Sequence, residues 1–121
     1  MFSTTVRVFL RQQPPVALPN VPICLFDRDE TNPDDPLGMA VTDNDGQATI
    51  YYSLSQCADD EDIPGMIDAL PELYVAVYDA QGNIVLSTRA NAKLNLHLPL
   101  IEVSIAPEVA IARGLHNALP A

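Results

Sequence analysis

Residues 25–50 (LFDRDETNPDDPLGMAVTDNDGQATI) limit the fold of this chain more than any other stretch. They hold 7 of the 16 acidic residues, and apolar alternation brackets them on both sides. Thr42-Asp43-Asn44-Asp45-Gly46 is a tight-turn sequence: glycine tolerates positive φ, and Asx side chains bond the local backbone. The stretch reads as strand, acidic loop, strand, hairpin turn, strand. A chain that must place three strands around one turn and one acidic loop is committed to β-structure.

The remaining segments agree. In residues 4–10 (TTVRVFL), Val6, Val8 and Leu10 alternate with Arg7 and Phe9, the period of a half-buried strand. Residues 11–20 carry Pro14, Pro15 and Pro19, and proline lacks the N–H that a ladder needs, so this is a connector. Residues 21–26 (VPICLF) are apolar on both faces and read as a central strand starting at Pro22. Residues 37–42 and 47–53 flank the turn. Residues 54–71 are a long acidic loop, with Ile63, Met66, Ile67 and Leu70 spaced as in one helical turn. Residues 73–78 (LYVAVY) are a second central strand, returned through Asp79–Asn83 by residues 84–87. Leu94, Leu96 and Leu98 alternate, as do Ile101, Val103 and Ile105. Seven or eight short strands with turns between them predict an all-β fold, an antiparallel β-sandwich. The domain is expected over residues 1–105. Residues 106–121 form a tail or linker with a weak amphipathic helix, Pro107 standing at its first position.

Size and charge exclude other classes. A chain of 121 residues is one domain that buries enough surface to fold without metal or disulfide. Its net charge is −10 with six basic residues, which disfavours nucleic acid, where Lys and Arg must neutralise phosphates. It also disfavours unaided docking on anionic lipid, unless a divalent cation supplies local positive charge. No apolar run is long enough to span a membrane. Met1 leads at once into an alternating run with no signal-peptide pattern, so the expectation is a cytoplasmic protein, export by another route, or an excised domain. Cys24 and Cys57 are expected as free thiols, Cys24 in or near the core.

Two resemblances meet at the opening stretch. Residues 21–26, Asp34-Asp35-Pro36-Leu37-Gly38, Thr42-Asp43-Asn44-Asp45-Gly46-Gln47-Ala48, Pro71-Glu72-Leu73-Tyr74-Val75 and Tyr78-Asp79 resemble transthyretin-like (prealbumin-like) β-sandwich modules over residues 4–105. The secreted members carry a signal peptide and more cysteines. Leu25-Phe26-Asp27-Arg28-Asp29 followed by Asp34-Asp35-Pro36-Leu37-Gly38 resembles one calcium-binding loop of a C2 domain. Calcium takes six to eight hard oxygen ligands from a flexible loop. The resemblance implies Asp27, Asp29, Asp34 and Asp35 as metal ligands, with Asp79 from a second loop. The competing reading is a solvated loop held by Asx–backbone bonds.

Catalytic patterns are sparse. The histidines are His97, on an alternating strand, and His116, in the tail, and no G-x-S-x-G elbow is present. Hydroxyisourate hydrolase, the enzymatic relative of transthyretin, carries a His/Arg constellation and a Tyr-Arg-Gly-Ser-type ending, whereas this sequence reads Asn117-Ala118-Leu119-Pro120-Ala121 there. Asp59–Asp62 read as a hydrated charge run, and Tyr51, Tyr52, Tyr74 and Tyr78 as sheet-packing residues. The leading expectation is a non-enzymatic interaction module without cofactor that binds a protein partner or assembles with its own copies. The alternative is a calcium-dependent binding domain, and a small hydrolase resting on His97 comes last.

Overall fold

The computed structural model describes residues 2–29, 33–53, 72–94 and 99–116, and the alternating runs within them are strands. Their order is β1 (Phe2–Leu10), β2 (Val16–Ala17), β3 (Pro22–Asp27), β4 (Asp35–Val41), β5 (Gln47–Tyr52), β6 (Glu72–Tyr78), β7 (Ile84–Ser87), a single 3-10 turn (Arg89–Asn91), β8 (Lys93–Leu94), β9 (Leu100–Ile105) and helix α1 (Pro107–Ala112). Among the described residues, β2 and β8 are two-residue pairings too short to leave an alternation. The other seven make the all-β sandwich that the sequence predicts.

Strand β1 is the centre of one sheet. Antiparallel β5 and β2 lie along one side of it, and β9 pairs with it in parallel on the other. The second sheet runs β4-β3-β6-β7, with β8 also on β6, and every pairing is antiparallel. The two strands that are apolar on both faces, β3 and β6, are neighbours in the middle of this sheet, as strands buried on both sides must be.

Period-two alternation points one face of each sheet inward. Val6, Val8 and Leu10 of β1 and Val103 and Ile105 of β9 meet Ile23 and Leu25 of β3 and Leu73, Val75 and Val77 of β6, all almost fully buried. Arg7 and Phe9 face out, where the Arg7 guanidinium lies over the Phe9 ring and pairs with Glu102 of the adjacent strand. Cys24 is a buried free thiol, and burial raises its pKa. Cys57, His97, the acidic run at 59–62 and the rest of residues 54–71 lie outside the described residues.

The connector at 11–20 and the tail both contribute to the core. Leu18 is fully buried. Ala110 of α1 is buried in the same cluster and Leu115 packs against it, so residues 106–116 sit on the sandwich.

Thr42 joins the connector to the hairpin. Its hydroxyl donates to the Leu18 carbonyl (2.6 Å) and accepts from the Val21 N–H (2.9 Å), and its own N–H donates to the Val21 carbonyl. The side chain is buried, so water cannot replace these partners. Thr42→Val keeps the shape and leaves the Val21 N–H without its acceptor. The expected cost is about 1–3 kcal/mol, read as a lower midpoint in urea unfolding.

Candidate functional site

The end of β3 is where the acidic residues gather. Strands β3 and β6 are antiparallel, so Asp27 lies opposite Leu73 at the start of β6, and on its other side opposite Asp35 of β4. The Arg28 N–H extends the ladder to the Glu72 carbonyl. Asp27, Asp29, Asp34, Asp35 and Glu72 are thereby brought to one end of one sheet.

Asp27 is nearly buried there, 8% exposed. One carboxylate oxygen accepts the Glu72 N–H at 2.9 Å. Loss of hydration is the main cause that pushes its pKa up to about 6, and the neighbouring charges of Asp35, Asp29 and Glu72 add to it.

Asp34 has the opposite environment. Its carboxylate accepts four hydrogen bonds: from Arg89 Nε (2.7 Å), from Arg89 Nη2 (3.2 Å), from the Asp29 N–H (2.9 Å) and from the Tyr74 hydroxyl. The Arg89 guanidinium is the main reason that its pKa falls well below the usual carboxylate range. Burial, then the bond to the Asp34 carboxylate, drives the Tyr74 phenol far up. The Tyr74 ring is held by stacking on Phe26, with centroids 5.1 Å apart.

Arg89 reaches this position because the chain returns. The hairpin of β6 and β7 brings the segment after β7 back to the acidic end. Thr88 fixes it there, donating its N–H to the Val75 carbonyl (2.9 Å) and accepting the Val75 N–H on its hydroxyl (3.0 Å). The 3-10 turn then projects Arg89 onto Asp34 and onto the Asp29 carbonyl (3.3 Å). Arg28 completes the arrangement, forking onto both Glu72 carboxylate oxygens (3.3 and 3.1 Å) and reaching the Arg89 carbonyl (3.2 Å).

Asp79 is not part of this set. It follows the last residue of β6, the opposite end of the strand from Asp27's partner Leu73. There it organises the turn, accepting the N–H groups of Gln81 (3.0 Å) and Asn83 (2.9 Å). Its other oxygen accepts from Arg113 (2.9 Å), which ties α1 to the sheet and, with the turn bonds, lowers the carboxyl's pKa. Asp43 plays the matching turn role, accepting from the Asp45 and Gln47 N–H groups.

The five carboxylates expected to hold calcium therefore divide into four at one end and one at the other. Within the four, the lone pairs of Asp34 are taken by protein donors, and a carboxylate has about four such sites. Among the described residues no three His, Cys, Asp or Glu side chains are grouped as a metal site. Among the described residues, Asp34 therefore has no lone pair left over for a calcium ion while Arg89 is bound to it. The residue that sequence reasoning missed is Arg89. Its signal was scarcity, as one of six basic residues in a chain of net charge −10, placed just after a hairpin that returns to the acidic end.

A further opening of about 370 Å³ lies at the Asp79 end, lined by Pro19, Asn20, Pro22, Ala80, Leu115 and His116. It brings His116 near no second catalytic group among these residues.

No protein-family model matches the chain, and neither does any curated protein sequence. Among solved structures, a 9R-lipoxygenase from Cyanothece PCC8801 contains a similar fold, with a TM-score of 0.56 and 23% identity. The match covers 88% of this chain and 17% of the lipoxygenase, so the chain spans about a sixth of that protein's length. At this identity the likeness is one of fold, and it agrees with the sandwich described above.

Proposed function

We propose that the chain is a non-enzymatic interaction module of the transthyretin-like or C2-like kind, which takes a protein partner or a second copy of itself along strand β4. The observation that carries this reading is the edge of the β3–β6 sheet. Strand β4 pairs with β3 on one side, and among the described residues nothing pairs with its other side. Its outward side chains Met39 and Val41 are 72% and 58% exposed. They lie opposite Cys24 and Pro22 of β3, and Cys24 is itself buried, so the exposed apolar side chains here are confined to the edge strand. An edge strand flanked by apolar side chains is a template for pairing with another chain.

The outer face of the other sheet offers a contrast. Thr5 pairs with Thr49 through their hydroxyls, and Arg7 with Glu102, so exposed Tyr51 and Leu100 stand there among paired polar side chains.

The test is light scattering with size exclusion over a concentration series. The expected result is a mass that rises with concentration for the native chain and stays monomeric for Met39→Lys/Val41→Lys, with unfolding midpoints alike. A native chain that is monomeric throughout removes the self-assembly branch. Binding to a candidate partner protein must then be lost in the double variant and kept in Tyr51→Lys, an exposed residue on the other sheet.

A further inference from the structure

The arginine at the acidic end does more than neutralise charge. It makes two contacts with the Asp34 carboxylate and one with the Asp29 carbonyl. Carboxylate oxygens of one loop residue and a backbone carbonyl of another are the ligand types that hard divalent ions take from loops. The backbone that carries the guanidinium is held in place, since the Arg89 carbonyl accepts from Arg28 while Thr88 donates its N–H to the Val75 carbonyl and accepts the Val75 N–H on its hydroxyl. The Asp34 side chain is 14% exposed and that of Arg89 half exposed, so the pair lies at the surface with its carboxylate largely shielded. Three places in the chain are joined there: Asp29 and Asp34, the start of β6 through Glu72 and Arg28, and the turn after β7.

We infer that Arg89 is the resident cation of the acidic loop, its guanidinium standing between the Asp34 carboxylate and the Asp29 carbonyl where a divalent ion would sit, so that this end of the sandwich is closed without metal. The inference is independent of the role given to β4. A planar fork suits the site better than a point charge, because two N–H groups serve both oxygens of Asp34 at once. The contacts among Asp29, Asp34 and Arg89 are then constant over the calcium concentrations that switch calcium-dependent modules.

Thermal unfolding in calcium against chelator, with terbium luminescence sensitised by tyrosine, tests this on the whole chain. The luminescence counted is the part that Asp34→Asn removes. The native chain is expected to show no calcium shift of Tm and no such luminescence. Arg89→Gln vacates the place and gains both, and Arg89→Lys, which keeps a cation, stays silent. A calcium-dependent rise in the native Tm that Asp34→Asn abolishes would overturn the inference. So would an Arg89→Gln protein that is folded by circular dichroism yet gains neither signal. If Arg89→Gln fails to fold in chelator, recovery on adding calcium supports the inference and failure to recover opposes it.

Discussion

Gly46→Ala is expected to destabilise the chain by about 3 kcal/mol or more, while Gly82→Ala costs about 1 kcal/mol. Both glycines close an Asp-x-x-Gly turn, and both have positive φ, +73° and +84°. In each turn the glycine N–H donates to the carbonyl of the aspartate three residues earlier. Backbone strain on adding a Cβ is therefore common to the two, and the surroundings differ. Around Gly82 nothing lies within 4 Å of the added atom. Around Gly46 the added atom would stand 2.5 Å from the Val8 carbonyl oxygen and 3.1 Å from the Leu18 nitrogen. The Leu18 N–H donates a hydrogen bond to that carbonyl oxygen at 3.0 Å, and the Val8 N–H donates to the Gly46 carbonyl at 2.8 Å. The methyl would thus push apart the point where β1, the connector and the hairpin turn meet. Flexible side chains could move aside, but these are backbone atoms of a central strand. Urea unfolding of the two variants gives the comparison. Equal losses would show that φ alone sets the cost and that the contact at Val8 relaxes freely.

The same turn shows what could be read from the sequence. Asp43–Gly46 was legible because turn chemistry is local: an Asx side chain bonds N–H groups two and four residues on, and a glycine supplies the φ. The core strands were legible for the same reason, since Val6, Val8 and Leu10 need only the strand period to share a face. Asp79 was misplaced because its role depends on strand direction. In an antiparallel pair the loop that leaves β6 lies at the far end from the loop that leaves β3, so the residue beside Asp27 precedes β6 and the residue that follows β6 does not. Arg89 was missed for the converse reason. It lies more than 50 positions from Asp34 in sequence, and only the β6–β7 hairpin with the Thr88 bonds to Val75 brings it back. The parallel pairing of β1 with β9 is equally non-local, joining the first strand to the last.

Asp27 gives the acidic end its expected pH dependence. Its folded pKa, about 6, lies above the ordinary 3.8. The folded state therefore holds the proton more tightly than the unfolded chain does. That contribution to stability is fully present below 3.8 and is lost as pH rises through 6. The interval corresponds to roughly 3 kcal/mol by pH 8, an upper figure for this one group. Asp34 and Asp79 act in the other direction, because their pKa values are lowered. Their contributions are complete above the ordinary carboxylate range and fall away only below it. Among the described carboxylates with shifted pKa values, the Asp27 trend is thus the one expressed between pH 4 and pH 7. Asp27→Asn should remove it: the amide oxygen still accepts the Glu72 N–H, and no charge is buried. The variant is expected to be more stable than the native chain at pH 8 by up to about 3 kcal/mol and no more stable at pH 4. Unfolding midpoints at the two pH values, taken in chelator, measure this directly. A variant that is weaker at pH 8 would mean that the Asp27 carboxylate is held charged by a partner stronger than the backbone N–H it now accepts.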